Sequence, residues 1–488
     1  MDIYSGIPII QGEWKSTPLS VQAVVQALLQ ENQVLRQENQ VMKQELVRLQ
    51  VEMEKLKEQV NKNSQNSSKP PSSDMFQSGK YAKKEASGQK KGGQRGHKGK
   101  GRKPKPMEEV SKIVVSKPTA CCECGSLLMG EDEQPQRHQV THLPRIEPEI
   151  VEYQRHAVDC LVCGARNQAE WPADMPKGSF SEEVQALTAY LGGRFGISKR
   201  DIAEISETVF HIDISLGSIS AQEQRVSQAL KKPMDEALEY VDRQTTKNMD
   251  ETSWHELMRL CWLWVCVTPK VTVFQIFKTR GASEAKKFLG ENFVGILGSD
   301  RYSAYNWIDP NKRQACWAHL KRDFQTLLER GGESATVGRL LLEQVKLFFA
   351  LWHHVKSGTL SRIDFQTVMV PIRSEVNRLL LMGIAVQHTQ THKTCRNIHN
   401  LEQALWTFVD CEGIEPTNNV AERALRRCVI WRRRSFGTQS EGGSRFVERI
   451  TTTVSTLRQQ KRDVLEFLVM ACRANLQGLT APSLLPAT

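Results

Sequence analysis

The sequence predicts a multidomain α/β protein, and three observations support this. Its 488 residues exceed the size of one ordinary domain, and 39% of them are hydrophobic, enough for a sizeable core. A polar, basic stretch at residues 62–107 separates two parts that are richer in apolar residues. Beyond residue 236, apolar runs of strand length alternate with segments of helical periodicity. The expected divisions are residues 1–20 (N-terminal segment), 21–61 (coiled coil), 62–107 (linker), 108–170 (zinc ribbon), 171–235 (helices), 236–440 (α/β core with a helical insertion at about 324–412) and 441–488 (C-terminal helices).

Charge and composition indicate the kind of partner and compartment. The net charge is +11 and the pI about 9.0, which favours an anionic partner such as nucleic acid. We find no apolar stretch long enough to span a membrane, and the N-terminus lacks the basic start of a secretion signal. The twelve cysteines lie near metal-type spacings rather than in a disulfide framework. These features predict a cytoplasmic protein without a membrane contact.

Residues 21–61 carry a heptad repeat typical of a coiled coil. The d positions are Leu28, Leu35, Met42, Leu49 and Leu56, and asparagines occupy two a positions. Asparagine at a favours a parallel, two-stranded register, and the g and e charges are attractive between two identical chains. This segment therefore predicts a homodimer, or a higher oligomer. The alternative is one long amphipathic helix packed on its own domain.

The linker at residues 62–107 carries nearly all the excess charge. From residue 79 to 106 there are eleven Lys or Arg residues and one acid. Such a segment binds DNA either as a minor-groove arm or as a polybasic spacer on phosphates. The residues predicted to contact DNA here are Arg95, Lys98, Lys100, Arg102 and Lys103.

Two Cys-x-x-Cys pairs follow the linker, at Cys121 and Cys124 and at Cys160 and Cys163. A glycine follows each pair and allows backbone amides to turn toward the thiolates. Two such knuckles predict one structural, four-sulfur zinc site, with residues 140–158 as a hairpin joining them. The alternatives are a redox pair or chance, and Cys122 is a spare thiol beside the first pair.

Three helices are predicted between residues 181 and 230. Ser198 is expected to cap the second helix. The spacing is compatible with a helix-turn-helix whose third helix presents four residues to DNA, although an ordinary helical bundle explains it nearly as well. Those four residues are Ser218, Ser220, Gln222 and Arg225.

The core contains two acids at predicted strand ends. Residues 244–249 form a short run ending in Asp250, and residues 257–267 and 271–277 follow as a hairpin. After a short helix, the apolar run 293–299 ends in Asp300, and residues 315–318 read as a fifth strand. Carboxylates at two strand ends, joined by a third on a helix, predict a site for two Mg²⁺ or Mn²⁺ ions.

Glu422 is the third acid, on a predicted helix that follows Pro416. A capping box with Asn419, or an ion pair with Arg426, explains Glu422 without any metal. Arginines crowd the same helix, and arginine suits bidentate phosphate contacts, so we predict that they bind DNA. They are Arg423, Arg426, Arg427, Arg432 and Arg433. Trp431 among them is expected either to stack on an unpaired base or to pack in the core.

Two further groups of polar residues precede Glu422. His319 and Arg322 are predicted to contact phosphates near the metals, with local helix capping or packing as the alternative. In the helical insertion, His388, His392, Cys395 and His399 share one face. A metal site is one interpretation of that face, and an ordinary solvated surface is the stronger one.

Several motifs together resemble the insertion sequence 66 family of bacterial transposases. They are Asp250-Glu251-Thr252, Ser299-Asp300-Arg301-Tyr302, Pro416-Thr417-Asn418-Asn419 followed by Glu422-Arg423, residues 67–74 and residues 92–97. The resemblance extends from about residue 20 to the end. It implies a ribonuclease-H-like core with the triad Asp250, Asp300 and Glu422, a zinc-binding domain, and accessory proteins of the same element. One departure is Arg427, which stands where the family often has proline.

Three functions of different classes follow. The first is a transposase that binds element ends, cleaves them with metal ions and transfers the strand to target DNA. The second is a metal-dependent nuclease without strand transfer. The third is a DNA-binding regulator, derived from a transposase, whose triad is inactive.

Overall fold

The structure is a computed structural model, and it describes residues 2–4, 7–9, 11–61, 67–68, 104–173, 175–176 and 178–486. The chain divides into two compact units. The first unit comprises residues 1–78 and 319–400, and the second comprises residues 79–318 and 401–488. The structure therefore confirms a multidomain α/β architecture. Among the described helices, none combines the length and apolarity needed to cross a bilayer.

The N-terminal part of the first unit is dominated by one long helix. A small hairpin of β1 (Asp2–Tyr4) and β2 (Ile7–Ile9) precedes α1 (Gln11–Ser16) and α2 (Leu19–Asn61). The predicted d residues of α2 remain exposed, for example Leu35 at 50% and Met42 at 61%. The helix is as predicted, and its pairing with a second copy stays a prediction.

Residues 104–173 have little regular secondary structure. Their hairpin consists of β3 (Ala157–Asp159) and β4 (Arg166–Gln168), which flank the second cysteine pair. The hairpin expected at residues 140–158 is therefore wrong, because residues 140–156 form no strand. The turn that closes the observed hairpin is the cysteine knuckle itself.

Four helices come next: α3 (Glu182–Phe195), α4 (Lys199–Phe210), α5 (Leu216–Ala229) and α6 (Lys231–Asp242). Ser198 caps α4 as predicted, since its hydroxyl accepts from the Asp201 amide at 3.2 Å. Gln222 on α5 is only 1% exposed, and its Oε1 accepts from the Thr188 hydroxyl at 2.6 Å. Placing Gln222 on a DNA-reading surface is thus wrong, because that face of α5 packs against α3.

A five-stranded mixed sheet forms the centre of the second unit. Its strands are β5 (Thr246–Glu256), β6 (Arg259–Val267), β7 (Thr272–Phe277), β8 (Ile296–Ser299) and β9 (Arg313–Ala315), and α7 (Ala282–Leu289) lies before β8. The order is β7-β6-β5-β8-β9, with β5, β6 and β7 antiparallel and β8 and β9 parallel to β5.

Two strand boundaries differ from the prediction. β5 does not end before Asp250 but continues to Glu256, because β6 pairs with it along this whole length. The fifth strand is not 315–318 but ends at Ala315, since Trp317 already begins a helix. The Trp317 indole instead packs on Trp406, with ring centroids 4.9 Å apart.

The expected insertion is helical throughout. It contains α8 (Trp317–Glu329), α9 (Gly332–Lys356), α10 (Arg362–Ala385), α11 (Thr389–His399) and α12 (Glu402–Asp410). The four residues predicted to share one face lie at α11 or its N-cap, and three of them have structural roles. His388 caps the helix, His392 hydrogen-bonds the Ile384 carbonyl through Nδ1 at 2.6 Å, and Cys395 is fully buried. These contacts account for three of the four residues, His388, His392 and Cys395, by packing and capping.

The chain closes the second unit with α13 (Asn419–Ser435), α14 (Glu441–Gln459) and α15 (Val464–Gln477). β7 is an edge strand of the sheet, so its outward amides require partners. Three side chains of α14, spaced four residues apart, accept hydrogen bonds from alternate amides of β7. The pairs are Thr456 with Thr272 (3.1 Å), Thr452 with Phe274 (3.0 Å) and Glu448 with Ile276 (2.6 Å). The helix thereby covers the edge and fixes its own position on the sheet.

Removing one of these bonds tests the edge contact. We expect Thr452→Val to lower the free energy of unfolding by about 1–3 kcal/mol, because a buried amide loses its acceptor. Thr453→Val is the matched control, since the Thr453 hydroxyl is buried without a hydrogen-bond partner among the described residues. Urea unfolding followed by tryptophan emission measures both variants. Equal effects at the two positions would show that the edge bond contributes nothing.

Candidate active site

The register of the sheet brings Asp250 and Asp300 to one place. β5 and β8 run parallel and pair Thr246 with Ile296 and Asn248 with Gly298. Continuing this register by two residues sets Asp250 opposite Asp300. Neighbouring strands lie about 4.8 Å apart, and residues two apart along a strand point to the same face. The two carboxylates therefore lie side by side where the parallel pairing ends.

Glu422 reaches the same region because the start of α13 is tied to β5. The Asn418 side chain donates from Nδ2 to the Met249 carbonyl at 2.7 Å, one residue before Asp250. The Asn418 amide donates to Cys316 Sγ at 3.1 Å, and Asn418 is 1% exposed. Glu422 follows one turn later, and its carboxylate lies within 4.8 Å of Cys316 Sγ.

The apolar face of α13 explains why the helix lies on this side of the sheet. Ala421, Leu425 and Cys428 recur at helical spacing, as the sequence indicates, and all are buried. They pack against inward side chains of the sheet, among them Leu263 and Val265 on β6. Val265 is the residue paired with Asp250 across the strands. The apolar contacts thus place the acid-bearing turn of α13 beside β5.

The pKa of Asp250 indicates that Asp300 and Glu422 lie near it. Burial raises the pKa of Asp250 well above its ordinary value, and the charges of Glu251, Asp300 and Glu422 raise it further. Among the described residues, the Asp250 side chain accepts one hydrogen bond, from the Glu251 amide at 2.9 Å. Asp250 therefore lies among like charges, and carboxylate oxygens match the preference of Mg²⁺ and Mn²⁺. A bound divalent cation would relieve this repulsion.

Glu251 belongs to a different network from that of its neighbour. Its Oε1 pairs with Arg280 Nε at 2.8 Å, and its Oε2 accepts from the Tyr305 hydroxyl at 2.6 Å. Both oxygens thus have protein partners, and the side chain is fully buried. Arg280 in turn lies over the Tyr302 ring, 3.9 Å from its centroid. Glu251 therefore anchors β5, and Asp250 is the member of this acidic pair that remains for a ligand.

A buried arginine holds the loop that carries Asp300. Arg313 on β9 donates to the Asp300 carbonyl at 2.6 Å and to the Ser299 hydroxyl at 3.0 Å. Burial lowers the pKa of Arg313 to about 10, and the nearby Asp300 charge opposes this decrease. The Asp300 side chain accepts from the Tyr302 amide at 2.9 Å. The sequence did not predict the roles of Arg313, Arg280 and Tyr305, because nothing in the local sequence distinguishes them from other core or surface residues. Glu251 stands out in the sequence only as part of a family motif.

The arginines of α13 divide into two groups. Arg423, Arg426, Arg427 and Arg433 are exposed, so they stay predicted DNA contacts. Arg432 differs, because its Nη1 donates to the Thr252 hydroxyl at 3.0 Å and to Ser253 on the same strand. The guanidinium of Arg432 therefore braces α13 against β5, and a DNA contact of this residue stays a prediction. His319 and Arg322 lie on α8 in the first unit and stay predicted phosphate contacts.

Each cysteine pair forms a separate knuckle in this structure. The Gly125 amide donates to the Cys121 carbonyl at 3.0 Å, and the Gly164 amide donates to the Cys160 carbonyl at 2.8 Å. Both glycines have positive φ, 73° and 71°, as the predicted turns require. A hydrogen bond to Ser126 lowers the pKa of Cys124 to about 7. Within the described residues, no three of the four predicted zinc ligands have their sulfur atoms within 4.8 Å of one another.

The predicted DNA contacts of the linker lie outside the described residues. These are Arg95, Lys98, Lys100, Arg102 and Lys103.

Comparison with known proteins adds family information. Residues 177–445, more than half of the chain and all three acids, match the profile described as "Transposase IS66 family". Residues 21–103 match a family of unknown function (DUF6444). Two uncharacterized proteins of Sinorhizobium fredii are similar: y4qI is 26% identical over 247 residues, and y4hP is 23% identical over 398 residues. The matches cover 45% and 73% of this chain, and they span 44% of y4qI and 71% of y4hP.

The raised pKa of Asp250 predicts whether its substitution stabilises or destabilises the fold. A raised folded-state pKa means that Asp250 stabilises the fold at acid pH and that this contribution is lost as pH rises through that pKa. At neutral pH without added divalent cation, Asp250→Asn should therefore raise Tm, by about 1–2 °C for each kcal/mol relieved in a unit of this size. Added Mg²⁺ or Mn²⁺ should raise Tm of the wild-type chain and have little effect on the variant. Differential scanning fluorimetry across pH 5–8 measures both.

Asp213→Asn is the matched control, because Asp213 is an exposed carboxylate in the same unit. It should leave both Tm and its dependence on the cation unchanged. A lower Tm for Asp250→Asn than for the wild-type chain would contradict the electrostatic account.

Proposed function

This chain belongs to the IS66 family of transposases, and we propose that it cuts DNA at the ends of an insertion sequence and transfers the freed 3′-hydroxyl to target DNA. The observation that carries the proposal is the placement of Asp300 and Glu422 beside Asp250 in the second unit, through the β5–β8 register and the Asn418 contact to β5. We assign this sheet to the ribonuclease-H-like class. Three antiparallel strands, two parallel strands and an acid-bearing helix support that assignment.

In this proposal the three carboxylates hold two Mg²⁺ or Mn²⁺ ions. When bound, such ions activate the attacking water or 3′-hydroxyl and stabilise the leaving oxygen of a phosphodiester. The chain's own contribution is orientation. Asn418 fixes the turn before Glu422, Arg313 holds the backbone of Asp300, and Glu251 with Arg280 holds β5. Each acid is thus positioned by a buried polar contact that forms without the ions.

DNA would be held by basic groups of several segments of the chain. On α13 the exposed arginines Arg423, Arg426, Arg427 and Arg433 offer bidentate donors to phosphates. We assign the same role to His319 and Arg322 on α8 and to the basic linker. Sequence-independent contacts of this kind supply affinity and make binding depend on salt.

The N-terminal segments would organise the complex rather than perform chemistry. The exposed apolar seam of α2 supports pairing with a second copy, which would bring two DNA ends together. The knuckle geometry of the two cysteine pairs supports one structural Zn²⁺, on Cys121, Cys124, Cys160 and Cys163, once the two knuckles come together. The division into domains, action on nucleoid DNA in the cytoplasm and cooperation with accessory proteins of the same element are parts of this proposal.

Removing single carboxylates tests the catalytic assignment. We expect Asp250→Asn and Glu422→Gln each to abolish strand cleavage with Mg²⁺ or Mn²⁺, because each removes a charged metal ligand. DNA affinity should stay within about threefold, since the basic contacts are untouched. Gel assays with labelled element ends measure cleavage and joining, and anisotropy measures binding.

Asp213→Asn serves again as the control, and full activity is expected of it. Cleavage retained by either triad variant would refute the assignment. The products also separate the alternatives: joined strands indicate a transposase, cuts without joining indicate a nuclease, and binding alone indicates an inactive regulator.

The zinc content of the chain tests whether the two cysteine pairs form one zinc site. We expect about one Zn²⁺ per chain, lost in Cys124→Ser and kept in Cys122→Ser, because Cys122 lies outside the two-residue spacing. Chelation should disorder residues 108–170 and leave the helicity of α2 intact, as hydrogen exchange and circular dichroism would show. Equal zinc content in the two variants would refute the four-cysteine site.

A further inference from the structure

A cleft of about 670 Å³ lies in the second unit beside the helix that carries Glu422. The C-terminal end of α3, one side of α13 and one side of α14 form its walls, and Val267 and Thr272 of the sheet lie at its base. None of the three acids of the candidate active site lines it. This cleft is therefore a second feature of the same unit, next to the acids but separate from them.

The lining of the cleft is strongly basic. Four arginines contribute to it, and no aspartate or glutamate does. They are Arg194, Arg423, Arg427 and Arg458. None of these four guanidinium groups has a carboxylate partner within the part of the chain that the structure describes. Burial lowers the pKa of Arg194, and repulsion by Arg458 and Arg427 lowers it further, so the charges lie close together. Such a cluster is stabilised by an anion.

Aromatic side chains complete the lining. Phe195 and Trp431 both face the cleft. The indole of Trp431 is held edge-on by Trp254, with centroids 6.3 Å apart, and its Cδ1 lies 3.4 Å from the position of a Cβ on Gly196. Gly196 has a φ of 63°, so a glycine here allows the chain to turn against the ring. The orientation of the indole is thus fixed by packing.

We propose that this cleft binds one unpaired nucleotide of a DNA strand, with its phosphates on the arginines and its base against Trp431 and Phe195. Arginine pairs bidentately with phosphate oxygens, and aromatic faces accept any base by stacking. The volume suits a group of nucleotide size, as in pockets that receive a base extruded from a duplex. Arg423 directly follows Glu422, so the bound strand would pass beside the acids. The inference rests on the proposed action on DNA.

Binding of two DNA probes tests this proposal on the full-length, zinc-loaded chain. One duplex carries a single unpaired 2-aminopurine, and the other is the same duplex fully paired. Arg194→Gln and Arg458→Gln should weaken binding of the first probe about tenfold, because each removes one charge-assisted contact to a phosphate. Their effect on the paired duplex should stay near twofold. Anisotropy at one fixed salt concentration measures both.

Two exposed arginines of the same unit outside the cleft, Arg434 on α13 and Arg200 on α4, provide controls with the same loss of charge. Arg434→Gln and Arg200→Gln should affect both probes equally and weakly. Equal weakening by cleft and control variants, or no preference for the unpaired probe, would overturn the proposal. Where glutamine lowers Tm, Arg458→Lys keeps the charge and should recover only part of the affinity.

A spectroscopic readout separates stacking from charge. Binding should quench 2-aminopurine fluorescence through contact with the aromatic wall, and Phe195→Ala should reduce that quenching. Unquenched emission in the wild-type complex would refute the base-binding part. If the chain never cleaves DNA but these differences hold, the transposase proposal fails and this inference stands. If cleavage is normal and Arg194→Gln binds the unpaired probe like the wild type, only this inference falls.

Discussion

The hydrogen bond from the Asn418 side chain to the Met249 carbonyl is the contact on which the candidate site depends. It joins residues 169 positions apart and is buried, so its loss would leave a strand carbonyl without its donor. The same asparagine is held through its amide by Cys316, just after β9. One side chain therefore ties the start of α13 to the strand that carries Asp250. The apolar face of α13 holds the helix on the sheet, and this hydrogen bond fixes its first turn, so that Glu422 faces the other two acids.

Bringing these acids together destabilises the fold electrostatically and also makes the site suitable for cations. The charges of Glu251, Asp300 and Glu422 all raise the pKa of Asp250, although Glu251 is also paired with Arg280. Two consecutive carboxylates of one strand thus have opposite environments, because alternate strand residues face opposite sides of the sheet. Asp250, with Asp300 and Glu422, is suited to binding cations, whereas Glu251 with Arg280 has a structural role. The fold is therefore less stable at the place where a cation is expected to bind.

The helix α13 contacts its neighbours through three faces, and Arg432 continues the apolar face one turn after Cys428. Ala421, Leu425 and Cys428 bury against the sheet, Glu422 turns to the acids, Arg432 braces β5, and Arg423 and Arg427 line the basic cleft. With 3.6 residues per turn, adjacent positions point about 100° apart, so Glu422 and Arg423 serve different sites. The proximity of an acidic site and a basic cleft follows from this geometry. A strand of DNA in the cleft would therefore lie next to the carboxylates.

The sequence alone determined the features that depend on local pattern. The apolar runs of the sheet, the helices around residues 182–229, the cap at Ser198, the knuckle glycines and the family motifs around the three acids follow from spacing and turn chemistry. Only the tertiary structure decided which polar groups meet across the chain. It showed that Gln222 is buried, that Arg432 braces β5, that β5 runs past Asp250, and that Thr452 caps an amide 178 residues away. A single-residue pattern carries no information about such partners, because a threonine or arginine looks the same whether its acceptor is water or a distant strand.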